Sequence, residues 1–292
     1  MLFDFPFRSK LTQHLAVLLS GLYLLVYTSL SQAQNAPQRV ISLAPHITEM
    51  LFSAGAGDKV VGVVSYSDYP AAALKIENVG SYHALNIEKI IQLNPDLIIA
   101  WRSGNRIKDI EKLEQLGFKV IYSEPYKLAD IPKEIRFFGE QLQSQTIADS
   151  VAKRLEIQLE RLALTYQSKP KVSAFYQIWN APIMTINGSQ FISQALNICG
   201  ATNVFEDLPI LAAEVNIESV IAKDPDTILL GGLKAVQQAW LKDWQKWSNL
   251  KAVKNKHIYL LNADTFQRST ERLIESIEGL CQTIDKVRKT QP

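Results

Sequence analysis

The sequence predicts an α/β fold in which two lobes built on parallel sheets are joined by a single long helix. Three observations predict it. Short β-branched runs alternate with longer amphipathic stretches, a helical period with few breakers fills the middle of the chain, and one pattern of fourteen residues occurs once in each half.

The N-terminus is different in kind from the rest. Arg8 and Lys10 make a short positive start, residues 15–30 are apolar, and Ser31-Gln32-Ala33 offers small residues to a signal peptidase. The apolar run of about 16 residues falls short of the roughly 20 that span a bilayer. No basic stop-transfer cluster follows it, and no Cys near the cut suggests a lipid anchor. A secretory signal over residues 1–33, cleaved after Ala33, is therefore expected, leaving a mature chain that is soluble in an exported compartment.

In the mature chain, residues 39–43 (RVISL), 60–64, 97–101 (LIIAW) and 119–123 read as strands, with amphipathic helical stretches at 47–54 and 106–116 among them. Strand, helix, strand in succession implies parallel pairing with helices on the sheet faces, which predicts a first lobe over 34–127. Over about 128–168 the pattern becomes one helical period, interrupted only by Pro132 and Gly139, and this is the predicted linking helix. After Lys169-Pro170 the alternation restarts over 169–292, with strands at 172–178, 183–186, 227–230 and 257–261 and a last helix at 270–289.

The repeat ties the halves together. Asn86-Ile87-Glu88 with Pro95-Asp96-Leu97-Ile98-Ile99 matches Asn216-Ile217-Glu218 with Pro225-Asp226-Thr227-Ile228-Leu229 at identical spacing. In each copy Asn can cap a helix, Glu stands in the first turn where the helix dipole favours negative charge, and Pro-Asp leads into a buried strand. Such units occur throughout α/β proteins, but the shared spacing of cap, Glu and Pro-Asp favours duplication.

Composition narrows the function by exclusion. Lys and Arg number 31 against 29 Asp and Glu, so no basic field points to nucleic acid. The mature chain holds His46, His83 and His257, no two of them four residues apart as a helical metal site requires, and neither a glycine-rich phosphate loop nor a nucleophile elbow is present. No enzyme activity, no cofactor and no metal site are expected. An even number of cysteines, Cys199 and Cys281, together with export favours a disulfide. Two separately buried thiols are the alternative.

Aromatic and polar residues gather where strands end. Ser65-Tyr66-Ser67-Asp68-Tyr69-Pro70 follows the second predicted strand, Tyr82 a Gly-Ser turn, and Trp101-Arg102-Ser103-Gly104-Asn105 the third. Gln177-Ile178-Trp179-Asn180 and Asp264-Thr265-Phe266-Gln267-Arg268 do the same in the second half. Ligands of parallel sheets bind outside the carboxyl ends of strands, and aromatic walls with a few oriented polar groups suit a large, flat, amphipathic molecule. Some of these rings, Tyr69 and Phe266 among them, could equally plug the rim of the core.

At these residues the sequence resembles the helical-backbone, class III solute-binding proteins, and among them the periplasmic cobalamin (vitamin B12) carriers of ABC-type importers. The resemblance runs over nearly all of the mature chain. It rests on Arg39 to Pro45 with Thr48-Glu49, on the Ser-Tyr-Ser-Asp-Tyr-Pro and Ala-Trp-Arg segments, on Asn86-Ile87-Glu88 and on the Cys199-Gly200 and Cys281 pair. It implies two Rossmann-like lobes on one rigid helix, with a corrin ring held edge-in between them, in a protein that is a monomer apart from its permease. Tyr66, Tyr82 and Trp101 would meet the ring from the first lobe, and Asp264, Phe266 and Arg268 would lie in the contacting segment of the second. Glu88 and Glu218 would seat the lobes on the two subunits of a permease dimer. The family pattern has an aromatic ring contact around Leu211-Ala212-Ala213 where this chain has none, and Trp179 could compensate from a shifted position. The competing readings are a ferric siderophore or haem carrier of the same fold and, more remotely, an α/β enzyme.

Overall fold

The computed structural model describes residues 36–291. The expected signal segment at 1–33 lies outside the described residues. Among the described residues, no helix is long and apolar enough to cross a membrane.

The first lobe opens with β1 (Val40–Ser42), α1 (Pro45–Ser53) and β2 (Val60–Val63), followed by the two-residue strands β3 (Glu77–Asn78), β4 (Gly80–Ser81) and β5 (Ala84–Leu85). It continues through α2 (Ile87–Leu93), β6 (Leu97–Trp101), α3 (Ile107–Gln115) and β7 (Val120–Ser123). Its sheet is parallel throughout, in the order β3-β2-β1-β6-β7. The chain leaves β1 toward β2 on one side and places β6 on the other, so the strand order reverses beside β1, the place where such sheets open a crevice.

Two helices follow where the sequence reads as one period. α4 (Asp130–Leu142) ends at Gln143, whose φ of 54° is left-handed, and α5 (Gln145–Tyr166) starts after it. Neither suspected breaker breaks anything. Pro132 sits in the first turn of α4, where no intrahelical N–H is needed. Gly139 lies inside α4, where a Cβ would collide with the Ala148 methyl, so glycine lets α5 approach. The helix that joins the lobes is α5, 22 residues or about 33 Å long.

The second lobe runs β8 (Val172–Gln177), β9 (Trp179–Asn180), β10 (Ile183–Ile186), α6 (Phe191–Ile198), β11 (Ala201–Asn203), β12 (Ala212–Glu214), α7 (Ile217–Lys223) and β13 (Thr227–Leu230). It ends with α8 (Lys234–Gln245), α9 (Lys251–Lys254), β14 (Ile258–Leu260), α10 (Ala263–Phe266) and α11 (Glu271–Arg288). Its main sheet, β11-β8-β13-β14, is parallel. The predicted strand at 183–186 does not join it. It pairs antiparallel with β9 and β12 in a separate small sheet, because the few residues after β8 cannot carry the crossover that parallel pairing needs.

Alternation along the strands sorts their side chains into three cores. Val40, Leu97 and Ile99 of the first sheet, and Ala174, Tyr176 and Leu229 of the second, face one continuous core that also takes in Leu155 and Leu162 of α5 and Ile277 and Leu280 of α11. The opposite faces pack locally, Ile41, Ile98 and Ala100 in the first lobe and Phe175, Ile228 and Leu230 in the second. Both lobes therefore rest on the same apolar mass. Outside it, Arg154 pairs with Glu271 and Glu275, and Arg161 with Glu278, lashing α5 to α11. The Cys199–Cys281 disulfide is formed and binds the end of α6 to α11. Such a cross-link stabilises by about 2–5 kcal/mol.

Candidate ligand-binding cleft

The carboxyl ends of both sheets border one cleft of about 1090 Å³. Tyr66 stands at its edge on the loop after β2. Its flanking residues are tied down: the Ser65 N–H donates to Gly80 O at 2.8 Å and the Ser67 N–H to Val64 O at 3.2 Å, while the Ser67 hydroxyl accepts from Thr48 at 3.1 Å. With both neighbours fixed inward, Tyr66 is left 72% exposed at a φ of 69°. A left-handed backbone at a bulky residue costs about 1–3 kcal/mol and is held where the surroundings over-determine it.

Trp101, the last residue of β6, is positioned by Asn105. The Asn105 Oδ1 accepts from the Trp101 N–H at 2.7 Å, and its Nδ2 donates to Leu43 O at 2.9 Å and Tyr82 O at 3.4 Å, so one buried amide links three strand ends. Gly104 is required beneath the indole, since a Cβ there would overlap Trp101 Cε3. The Tyr82 ring stands 6.2 Å from the indole, and the His46 ring meets it edge-on at 5.2 Å. Burial first, and then the charge of Arg268, lower the His46 pKa to about 4, so the imidazole is neutral near pH 7.

Opposite this aromatic wall the second lobe is mixed in character. Asn262 caps α10, its Oδ1 accepting from the Thr265 N–H at 3.2 Å, and the short helix presents Asp264 and Gln267 to the cleft. Arg268 also faces the cleft, but it is already engaged. It donates across the cleft to Glu49 Oε1 at 2.9 Å and Asp68 Oδ1 at 2.6 Å, and within its own lobe to Asp264 Oδ1 at 3.4 Å. Its hydrogen bond is the leading reason the Asp68 carboxyl lies below the usual range. Arg272 grips the same Glu49, Nε to Oε2 at 2.9 Å and Nη2 to Oε1 at 2.5 Å, and lies over the Tyr69 ring at 3.9 Å. Glu49, its side chain 2% exposed, is thus a buried carboxylate of the first lobe clamped by two arginines of the second.

The structure brings Tyr66, Tyr82, Trp101, Asp264 and Arg268 around one space. Phe266 is not among them: it is 7% exposed and packs into the shared core, because on so short a helix it turns away from the face that carries Asp264 and Gln267. Trp179 lies beside the cleft on an adjoining pocket of about 370 Å³, its ring edge-on to Trp240. Tyr126, Phe191, Gln190, Gln194, Leu211 and Leu233 also line it; of these only Leu211 falls in a stretch that the sequence reading places at the ring, as the position of a missing aromatic contact. Gln194 also bridges the lobes, donating to Tyr126 O at 2.9 Å and accepting from the Leu128 N–H at 3.0 Å. Tyr126 could have been found by the strand-end rule already applied to Trp101, whereas Gln190 and Gln194 carry no local signal.

Glu88 and Glu218 lie away from the cleft. Both are exposed in the first turns of α2 and α7, capped by Asn86 and Asn216, whose side chains accept from Lys89 N at 3.0 Å and Ser219 N at 2.8 Å.

The sequence profile described as "Periplasmic binding protein" matches residues 40–265, most of the chain. The chain belongs to the periplasmic binding protein family. Among relatives of this periplasmic binding protein, the vitamin B12-binding protein of Vibrio vulnificus (strain YJ016) is 41% identical over 266 residues, covering 90% of this chain and 95% of that one. The crystal structure of the periplasmic vitamin B12 binding protein BtuF of Vibrio cholerae matches with a TM-score of 0.79 at 35% identity, over 87% of this chain and 99% of that one. The periplasmic heme-binding protein RhuT from Roseiflexus sp. RS-1 superposes with a TM-score of 0.74 at 22% identity, over 86% and 98% of the two chains, a likeness of fold alone.

Proposed function

We propose that the protein captures cobalamin or a related corrinoid between its lobes in the periplasm and delivers it to the permease dimer of an ABC-type importer, without catalysing a reaction. The observation that carries this reading is the asymmetric cleft: Tyr66, Tyr82 and Trp101 on one side, Asp264, Gln267 and Arg268 on the other, in a volume of about 1090 Å³. A corrin ring is broad and apolar on its faces and fringed with amides. Aromatic rings cover the former, and a carboxylate, an amide and a guanidinium pair with the latter. The names of the relatives agree with this cargo.

The rest of the reading concerns delivery. Glu88 and Glu218 occupy equivalent, exposed positions in the two lobes, which suits a partner with two equivalent subunits and basic sockets. The mature protein acts as a monomer after cleavage at Ala33, and the core shared by the lobes favours release by docking over wide hinge opening.

Titration of the mature protein with cyanocobalamin, haem and a ferric siderophore in parallel, followed by tryptophan fluorescence, tests the cargo. Quenching by cyanocobalamin at or below micromolar concentration is expected, and its absence overturns the reading. Glu88→Ala combined with Glu218→Ala should abolish uptake in cells and leave ligand affinity intact; lost affinity would remove these residues from the docking surface.

A further inference from the structure

The first-lobe wall of the cleft carries a fixed hydrogen-bond acceptor as well as its rings. Glu124 follows directly on the last residue of β7 and Ser103 lies two residues past the end of β6, strands that are in register at Trp101 and Ser123. The Ser103 N–H donates to Glu124 Oε2 at 2.7 Å, and the Ser103 hydroxyl donates to Oε1 at 2.9 Å. Both carboxylate oxygens are thus held from the neighbouring strand end, and each keeps a further lone pair. Glu124 is partly exposed and lines the cleft together with Trp101. An ionised carboxylate only accepts, so what it takes from a ligand is an N–H or an O–H.

The charges around the cleft point the same way. Among the described residues, its lining holds the carboxylates of Glu124 and Asp264 and the cations of Lys127 and Arg268. Arg268 is committed to Glu49, Asp68 and Asp264, and Lys127 is exposed to solvent, where its charge is screened. A ring fringed with neutral amides donates to Glu124 without bringing a charge. A ring fringed with ionised carboxylates brings like charge to it and has nothing to donate. We propose that Glu124 is a specificity-determining residue, which accepts a hydrogen bond from a side-chain amide of the ring and so selects fully amidated corrinoids over carboxylate-bearing ones. The inference rests on the corrinoid reading of the cleft and extends it from the faces of the ring to its fringe. The same contact disfavours haem, whose propionates are ionised near pH 7.

Hydrolysing one propionamide of cyanocobalamin to propionate replaces an amino group by an oxygen at nearly constant size, so the three isomeric monocarboxylic acids made in this way report charge and hydrogen bonding apart from shape. The test is calorimetric titration of the mature protein near pH 7 with cyanocobalamin and each of these acids. At least one acid should bind about tenfold more weakly than cyanocobalamin, the scale of one hydrogen bond to a charged group, and that isomer identifies the amide that faces Glu124. Glu124→Gln, whose own amide can donate to a carboxylate, should bring the same isomer close to cyanocobalamin. Ser103→Ala removes one of the two tethers and should narrow the ratio by less, which gives a second measure if Glu124→Gln folds poorly. Equal binding of cyanocobalamin and all three acids by the parent protein overturns the assignment, as does a ratio that Glu124→Gln leaves unchanged for every isomer. Failure of the parent to bind cyanocobalamin at all overturns the underlying corrinoid reading instead.

Discussion

The first lobe meets the cleft with Tyr66, Tyr82, Trp101 and Tyr126 beside Glu124 and Lys127, whereas the second meets it with a single aromatic ring, Phe191, and with Asp264, Gln267, Arg268, Gln190 and Gln194 among the aliphatic Leu211 and Leu233. Beneath those unlike surfaces lies a shared unit. In both lobes an Asn-capped helix ends on a left-handed residue, Asn94 at a φ of 42° and Asp224 at 40°. In both, the Asp after Pro holds the neighbouring strand's entry: Asp96 accepts from Gln38 N and Arg39 N at 2.8 and 3.0 Å, and Asp226 from Ser173 N and Oγ at 2.9 and 2.8 Å. The difference teaches that the repeated scaffold sets where strands end, and that the residues after those ends are free to diverge into an aromatic-rich wall and a mixed one.

The sharpest way to break the comparison is to cut the buried ion-pair cluster that joins the lobes, Glu49 with Arg268 and Arg272. Glu49→Leu leaves Arg268 and Arg272 without their buried carboxylate. Removing one partner of a buried pair costs about 3–5 kcal/mol, and a loss of that size is expected in urea denaturation. A loss under about 1 kcal/mol would mean that Asp68 and Asp264 carry the arginines alone.

A pH effect comes next and belongs to the first lobe. The folded-state pKa of His46 is lowered from 6.5 to about 4 by burial and by Arg268. The unfolded chain therefore binds more protons between those values, and stability rises with pH across that window. The contribution is fully present above about pH 6.5 and is lost as pH falls toward 4, a change on the order of 3 kcal/mol. Denaturation at pH 7, 5.5 and 4 should show a shallower decline in His46→Gln than in the parent protein.

The two walls are then compared directly. Trp101→Ala should weaken cyanocobalamin binding by about 30-fold or more, the scale of an aromatic hot spot, and Leu211→Ala by less than about fivefold. Equal losses would remove the division between an aromatic wall that grips and a mixed wall that orients. The smallest effect tests the shared unit. Asn86→Ala and Asn216→Ala each remove one helix cap and should each cost about 1 kcal/mol; a marked inequality would show that the two copies no longer bear equal loads.

What could be read in the sequence was local. Strands at 97–101, 183–186 and 227–230 coincide with β6, β10 and β13, because alternation and β-branching are properties of adjacent residues. The strand-end rule reached Tyr66, Tyr82 and Trp101 for the same reason. It failed at Phe266, since one turn of helix sends neighbouring residues to opposite sides, and at residues 128–168, where the left-handed Gln143 breaks a helical pattern that hydrophobic periodicity alone does not interrupt.

The sequence by itself determined the alternating α/β plan, the duplicated cap-Glu-Pro-Asp unit, and a cysteine pair that the fold closes into a disulfide. Only the tertiary structure decided that both lobes rest on one core, that Glu49 lies between two arginines more than 200 positions away, and that Leu211 and Ala212 share a second pocket beside the cleft with Trp179. Propensity, patterning and capping act through bonds and neighbours a few residues apart. Ion pairing across lobes and the shape of a cavity depend on which surfaces the folded chain presses together.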